Sequence, residues 1–288
     1  MFSHEPLGGN PVAVVLDGDG LATEQMQRLA RWTNLSETTF LLPPTTTEAD
    51  YRVRIFTLAH ELPFAGHPTL GSCHAWLAAG GQPRDTSRVV QECAAGLVPI
   101  RRGDAGLAFA APDLLRSGPV DAGFVGKVAD VLGISRDDIV DAAWVDNGPG
   151  WVGVLLRDAA AVLAVEPEVA RHAGEGNLDI GLVGPYPNGA SPPDGPEGLS
   201  PAIEVRALFS DEHGMLREDP VTGSLNASLA QWLLTTGRLT APYVASQGTR
   251  LGRTGRPRIE QDEDGTVWVG GATTTIVEGE IVLPAQPP

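Results

Sequence analysis

The sequence predicts an α+β protein of two similar halves, each built on one central helix wrapped by strands, and three observations point there. The 35 Gly and 24 Pro among 288 residues require many turns and short elements, which favours strands over long helices. A content of 42% hydrophobic and 19% charged residues supplies a sizeable core, and the length suits two domains of ordinary size or one large one. Two stretches about half a chain apart also resemble each other. His67-Pro68-Thr69-Leu70-Gly71-Ser72 and Asp219-Pro220-Val221-Thr222-Gly223-Ser224 each set a polar residue before Pro, then Thr, Gly and Ser in some order. An Ala-containing run with a Trp and a closing Gly follows each, a weak internal repeat.

In chain order, Gly8-Gly9-Asn10-Pro11 reads as a turn before a strand over Val12 to Leu16. Thr23 is a candidate cap for a helix over Glu24 to Trp32, with Met26, Leu29 and Ala30 at helical spacing. Phe40 to Leu42 and the alternating Tyr51 to Phe56 read as a hairpin, joined through Pro43-Pro44 and a threonine run. Pro68 at the first helical position and Gly80-Gly81 after the last bound a helix over Leu70 to Ala79. Strands are expected at Val89 to Glu92, Leu97 to Ile100 and Leu107 to Ala110. Ala111 to Pro119 is the expected boundary, dividing the chain into 1–114 and 115–288, with the last strand returning to the first unit.

The second half is expected to repeat this order. A helix near Val120 to Leu132 leads to strands at Ala143 to Val145 and Trp151 to Leu156. Gly184 to Pro201, rich in Pro and Gly, reads as a mobile loop. A strand over Ile203 to Phe209 then leads to a helix opening at Glu218-Asp219-Pro220 and stopping at Gly237.

Charge and composition exclude several functions. A net charge of −16, from 20 basic and 36 acidic residues, repels nucleic acid. Arg250 to Arg258 is the one basic cluster, and reads as a solvated turn. Cys73 and Cys93 form no CxxC and no disulfide framework. The histidines lack zinc spacing, since Gly66 and Pro68 interrupt any helix that would align His60, His67 and His74. No charged-then-apolar leader opens the chain and no apolar run nears ~20 residues, so a soluble cytoplasmic protein is expected.

Chemistry is expected at the two helix starts. A helix N-terminus offers free N–H groups and a positive dipole end, so two facing each other would hold a small anion. The acid or base is then Glu37, Glu61, His67 or Asp219. Each has a structural alternative: solvation for Glu37, loop support for Glu61, an N-cap before Pro for His67 and Asp219. Thr222 and Ser224 are equally candidate first-turn caps, and both cysteines read as packing.

Several motifs together resemble the phenazine-biosynthesis F (PhzF-like) family. These are Gly9-Asn10-Pro11, Ser36-Glu37-Thr38-Thr39-Phe40, Arg54-Ile55-Phe56-Thr57 and Glu61 to Gly71. In the second half they are Asn147-Gly148-Pro149-Gly150-Trp151, Glu218 to Ser224, Gln247-Gly248 with Arg253, and Val269-Gly270-Gly271. They follow family order over nearly the whole chain. The resemblance implies the diaminopimelate-epimerase-like fold, two pseudo-symmetric domains with mostly antiparallel, barrel-like sheets, and a homodimer. It assigns Glu37 as general acid/base, with His67 and Asp219 beside it and Gly66, Thr222, Gly223 and Ser224 around the substrate. It implies an isomerase that shifts a proton in a small unsaturated carboxylate, with no cofactor and no metal. Epimerisation, lyase chemistry or carbon–carbon cleavage on the same scaffold is the alternative, as is a non-catalytic ligand binder. Ala65 stands where racemases of this fold carry a cysteine, which argues against a thiol base.

Overall fold

The computed structural model describes residues 1–103, 106–167, 178–187, 200–211 and 214–282. The first half runs β1 (Ala13–Val15), α1 (Thr23–Thr33), β2 (Thr38–Leu42), β3 (Tyr51–Phe56), β4 (Glu61–Leu62), α2 (Gly66–Ala78), β5 (Arg88–Cys93), β6 (Gly96–Gly103) and β7 (Gly106–Ala110). The second runs β8 (Arg116–Pro119), α3 (Ala122–Leu132), β9 (Ile139–Asp146), β10 (Trp151–Leu156), α4 (Ala159–Ala164), β11 (Asp179–Pro185), β12 (Ile203–Ser210) and β13 (Leu216–Asp219). It ends with α5 (Gly223–Thr235), β14 (Tyr243–Gln247), β15 (Arg258–Gln261) and β16 (Val267–Gly271).

The strands join in the order β1-β2-β3-β5-β6-β7-β16-β15-β14-β12-β11-β10-β9-β8, with β4 on β3 and β13 on β12. Among the described residues the pairings are antiparallel except β1/β2, β3/β5, β10/β11 and β12/β14. The last strand, β16, lies against β7 of the first half, with Val269 opposite Phe109.

The sheet wraps two central helices of 13 residues each, α2 and α5. Leu70 and Cys73 of α2 share one buried cluster with Leu225 and Leu229 of α5 and with strand residues from both halves, such as Ile55 and Val205. A helix buried on every side has no polar stripe, which explains the small and apolar residues along both. Two paired glycines, Gly153 on β10 and Gly181 on β11, make room for α5. A Cβ on Gly181 would lie 2.3 Å from Leu225, and one on Gly153 3.0 Å from Trp232. Outside the sheet, Met26 and Leu29 of α1 pack on Phe40 and Phe56. Val125, Val128 and Leu132 of α3 pack with Val154 and Ile180.

Several boundaries differ from those expected. Ala22, not Thr23, precedes α1, because the Thr23 hydroxyl accepts from Arg54 (3.0 Å) while Gln25 Oε1 accepts from the Ala22 N–H (3.0 Å). Helix α2 starts at Gly66 after Ala65, so Pro68 sits third and His67 is no cap. Proline is tolerated there because first-turn N–H groups have no intrahelical acceptor. His67 and His74 therefore do share one helix, yet no metal-binding cluster occurs among the described residues. Asp219 ends a strand instead of capping α5, which opens after Thr222. Gly184 and Pro185 belong to β11; 188–199 of the expected loop, with His172 and His213, lie outside the described residues. No helix of the described residues is long and apolar enough to cross a membrane.

Candidate active site

The two central helices meet at their first residues. Neither Ala65 nor Thr222 caps its helix with a side chain. The first intrahelical bonds run from Thr69 N–H to Ala65 O and from Asn226 N–H to Thr222 O. The N–H groups of Gly66 and His67, and of Gly223, Ser224 and Leu225, come before those bonds. Both starts need glycine. A Cβ on Gly66 would stand 2.9 Å from Gly223 Cα and 2.7 Å from the Phe109 ring, and one on Gly223 would stand 3.0 Å from Gly66 Cα. Two positive helix ends thus converge on one place.

Glu37 enters this place from the residue before β2, where Ala13 N–H donates to its carbonyl oxygen (3.4 Å). Its Oε2 lies 3.1 Å from His67 Nε2, with the two side chains 15% and 5% exposed. The atoms are close but not aligned as a hydrogen bond, and both are buried with no other partner. A carboxylate oxygen and a ring nitrogen are thus withdrawn from water yet uncommitted, which makes the pair a candidate for proton transfer.

Behind His67 lies Asn10, fully buried. Its Nδ2 donates to Asp219 Oδ1 (2.9 Å) and to Val221 O (3.0 Å), and stands 3.4 Å from His67 Nδ1. Both amide hydrogens of Asn10 are thus directed at oxygen, which ties the turn before β1 to Asp219 and to the loop after it. Thr222 Oγ1 donates to the other oxygen of Asp219. Burial pushes the Asp219 carboxyl above its ordinary range, the nearby Glu37 adds to that, and His67 with the Thr222 and Asn10 donors works against it. The structure therefore brings Glu37, His67, Asp219, Gly66, Thr222, Gly223 and Ser224 to one region.

Two candidate caps do other work. The Thr222 hydroxyl serves Asp219, while Ser224 Oγ accepts from Trp151 Nε1 (3.3 Å) and Ser224 O from Asn147 Nδ2 (2.9 Å). Glu61 lies apart, held by Arg54 through two bonds of 2.7 and 2.6 Å. Cys73 is fully buried and its thiol is pushed up to about 12, chiefly by burial, so it is no base. Arg250 pairs with Glu166, and Arg253 donates to Leu7 O (3.1 Å). Clefts of about 460 and 410 Å³ open along β6 and β7, away from Glu37 and Asp219. The helix starts are the candidate site because Asn10 Oδ1, Glu37 Oε2 and His67 Nε2, all buried and uncommitted, gather beside them. Sequence reasoning missed Asn10 as a site residue, although Gly9-Asn10-Pro11 carried a signal. Gly9 has φ +60°, and any Cβ there would strike Met1 O at 1.9 Å.

The chain is similar to known proteins over nearly its whole length. Residues 1–279 match the PhzC-PhzF family, described as phenazine biosynthesis-like protein. A trans-2,3-dihydro-3-hydroxyanthranilate isomerase of Pseudomonas chlororaphis is 33% identical, over 98% of this chain and 97% of its own. A fission yeast (Schizosaccharomyces pombe) protein named antisense-enhancing sequence 1 is 32% identical over 97% and 96%. A crystal structure of a PhzF-family protein from Enterococcus faecalis superposes with a TM-score of 0.76 at 22% identity, covering 98% and 96%.

Proposed function

This chain belongs to the PhzC-PhzF family and is one of its isomerases, and we propose that Glu37 performs the isomerisation by moving a proton within a small unsaturated carboxylate. The observation that carries this reading is the uncommitted Glu37 Oε2 and His67 Nε2 pair, 3.1 Å apart beside the two helix starts. The Glu37 carboxylate takes a proton from an sp³ carbon next to the unsaturated system. The C–H electron pair enters the conjugated system, and the negative charge passes to the carboxylate end. Free N–H groups of Gly66, His67, Gly223 and Ser224 are oriented to hold that charge without reorganising. Glu37 then returns the proton to a more distant carbon on the same face, so atoms and charge balance. His67 and Asp219 hold the polar groups of the substrate. A homodimer acting in secondary metabolism in the cytoplasm belongs to the same proposal and rests on the family resemblance.

The test is proton NMR in D₂O with trans-2,3-dihydro-3-hydroxyanthranilate and other unsaturated carboxylates. The rearranged product should form, with deuterium at the new carbon position to the extent that the Glu37 proton exchanges with solvent before its return, and Glu37→Gln should slow the rearrangement by ~10²–10⁴-fold. A fully active Glu37→Gln enzyme would remove Glu37 from the chemistry. Exchange without rearrangement would mark an epimerase, and fragmentation a lyase.

A further inference from the structure

We propose that Gln247 is a positioning residue for Asp219, acting through Thr222: a one-way relay of hydrogen bonds keeps Asp219 an acceptor, so the second half holds substrate and leaves proton carriage to Glu37. This rests on the reading of Asp219 as a group that faces substrate.

Gln247 closes β14 and is fully buried. Backbone partners settle which way its amide points. Its Oε1 accepts from Thr222 N–H (3.0 Å), which can only donate, and its Nε2 donates to Asp219 O (3.2 Å), which can only accept. The remaining capacity goes to Asn226 Nδ2, which donates to Oε1 (2.7 Å), and to Thr222 Oγ1, which accepts from Nε2 (3.1 Å). An amide with every position engaged and polarity fixed by backbone has no second orientation.

The direction then propagates. Thr222 Oγ1 receives a hydrogen from Gln247, so its single proton goes to Asp219 Oδ2. Asn10 is fixed in the same way, because Val221 O can only accept, and it serves Asp219 Oδ1. Each Asp219 oxygen thus receives one donor, and donors to a carboxylate favour its charged form against the cost of burial. The loop that follows Asp219 is pressed from the same side. A Cβ on Gly248 (φ +87°) would fall 2.6 Å from Pro220 O, and one on Gly255 2.4 Å from Val221. The titratable neighbours that act on Asp219 are Glu37 and His67.

The experiment is carbon-13 NMR of the full chain labelled at aspartate carboxyls, with the Asp219 resonance identified by its loss in Asp219→Asn. Gln247→Leu and Thr222→Val should each raise the Asp219 midpoint by roughly one pH unit. The double variant should raise it no further, because both cut one chain. Gln247→Glu, nearly the same shape, should also raise it, since a donor becomes an acceptor. Asn226→Ala should leave it in place, since the donor chain to Asp219 is intact. An unmoved midpoint in folded Gln247→Leu or Gln247→Glu overturns the relay, as do additive shifts in the double variant. Should neither Gln247 variant fold, an unmoved midpoint in Thr222→Val overturns it equally. No substrate is needed, so this result is independent of the Glu37→Gln exchange experiment.

Discussion

Helices α2 and α5 have the same length, the same uncapped glycine start and the same place at the centre of a half. They differ in what surrounds those starts. At α2 the second residue is His67, with Glu37 3.1 Å away and unengaged. At α5 the preceding strand ends in Asp219, with both oxygens already served. Burial differs as well: α2 is buried from Gly66 to Cys73, whereas α5 stays largely buried to Leu233. A repeated scaffold thus supplies two equivalent sets of N–H groups, and departures from the repeat supply the uncommitted Glu37–His67 pair on one side and the fully served Asp219 on the other.

The equivalence itself is broken most directly at the glycine contact. Gly66→Ala and Gly223→Ala would each place a methyl within about 3 Å of the other helix start. Each should cost about 100-fold in turnover through misplacement and about 1–3 kcal/mol in stability. Steady-state kinetics on a carboxylate found by the exchange assay, with urea unfolding, gives both numbers. If only one of the two variants suffers, the helix starts do not act as equals.

The tie between halves is tested at Asn10. Asn10→Ala would strip Asp219 Oδ1 and Val221 O of their shared donor. The expected loss is about 1–3 kcal/mol, read as a lower midpoint in chemical unfolding. An unchanged midpoint would mean that the halves are joined well enough without it.

The asymmetry is sharpened by Asp179 of β11, beside Asp146. Burial, reinforced by Asp146, raises its carboxyl from 3.8 to about 6. Between those values the folded chain holds more protons than the unfolded one, so stability should fall as pH rises through that window. Asp179→Asn should flatten that fall and gain about 1–2 kcal/mol at pH 7.5, with little gain at pH 4. Thermal melts at the two pH values decide it, and an equal gain at both would assign the effect to packing.

Much of the fold was legible where a local rule acts alone. Alternation delivers Tyr51–Phe56 and periodic apolar spacing delivers most of α1. The helix starts were misplaced because proline fits any first-turn position, so Pro68 and Pro220 do not say whether a helix has already begun. Asp219 read as a cap because the bonds that make it a strand end come from Ala207, twelve residues earlier in the chain. Strands β14 to β16 are short and separated by segments holding Gly and Pro, and what orders them is pairing across the molecule. The site shows the same division. Motif resemblance brought Glu37, His67 and Asp219 together, but Asn10 escaped because its partners lie 57 and 209 residues away.

The place of β16 bears on how the molecule is made. Val269 lies opposite Phe109, whose ring walls the Gly66 helix start. A nascent chain that has reached β7 therefore still lacks the strand that completes its first half. At roughly 5–20 residues per second, that wait is on the order of ten seconds or more. Until then an open sheet edge is available to any passing strand. The region where the two helix starts meet is thus a product of the finished polypeptide, and truncation before Val267 should yield an aggregation-prone fragment in place of a folded half.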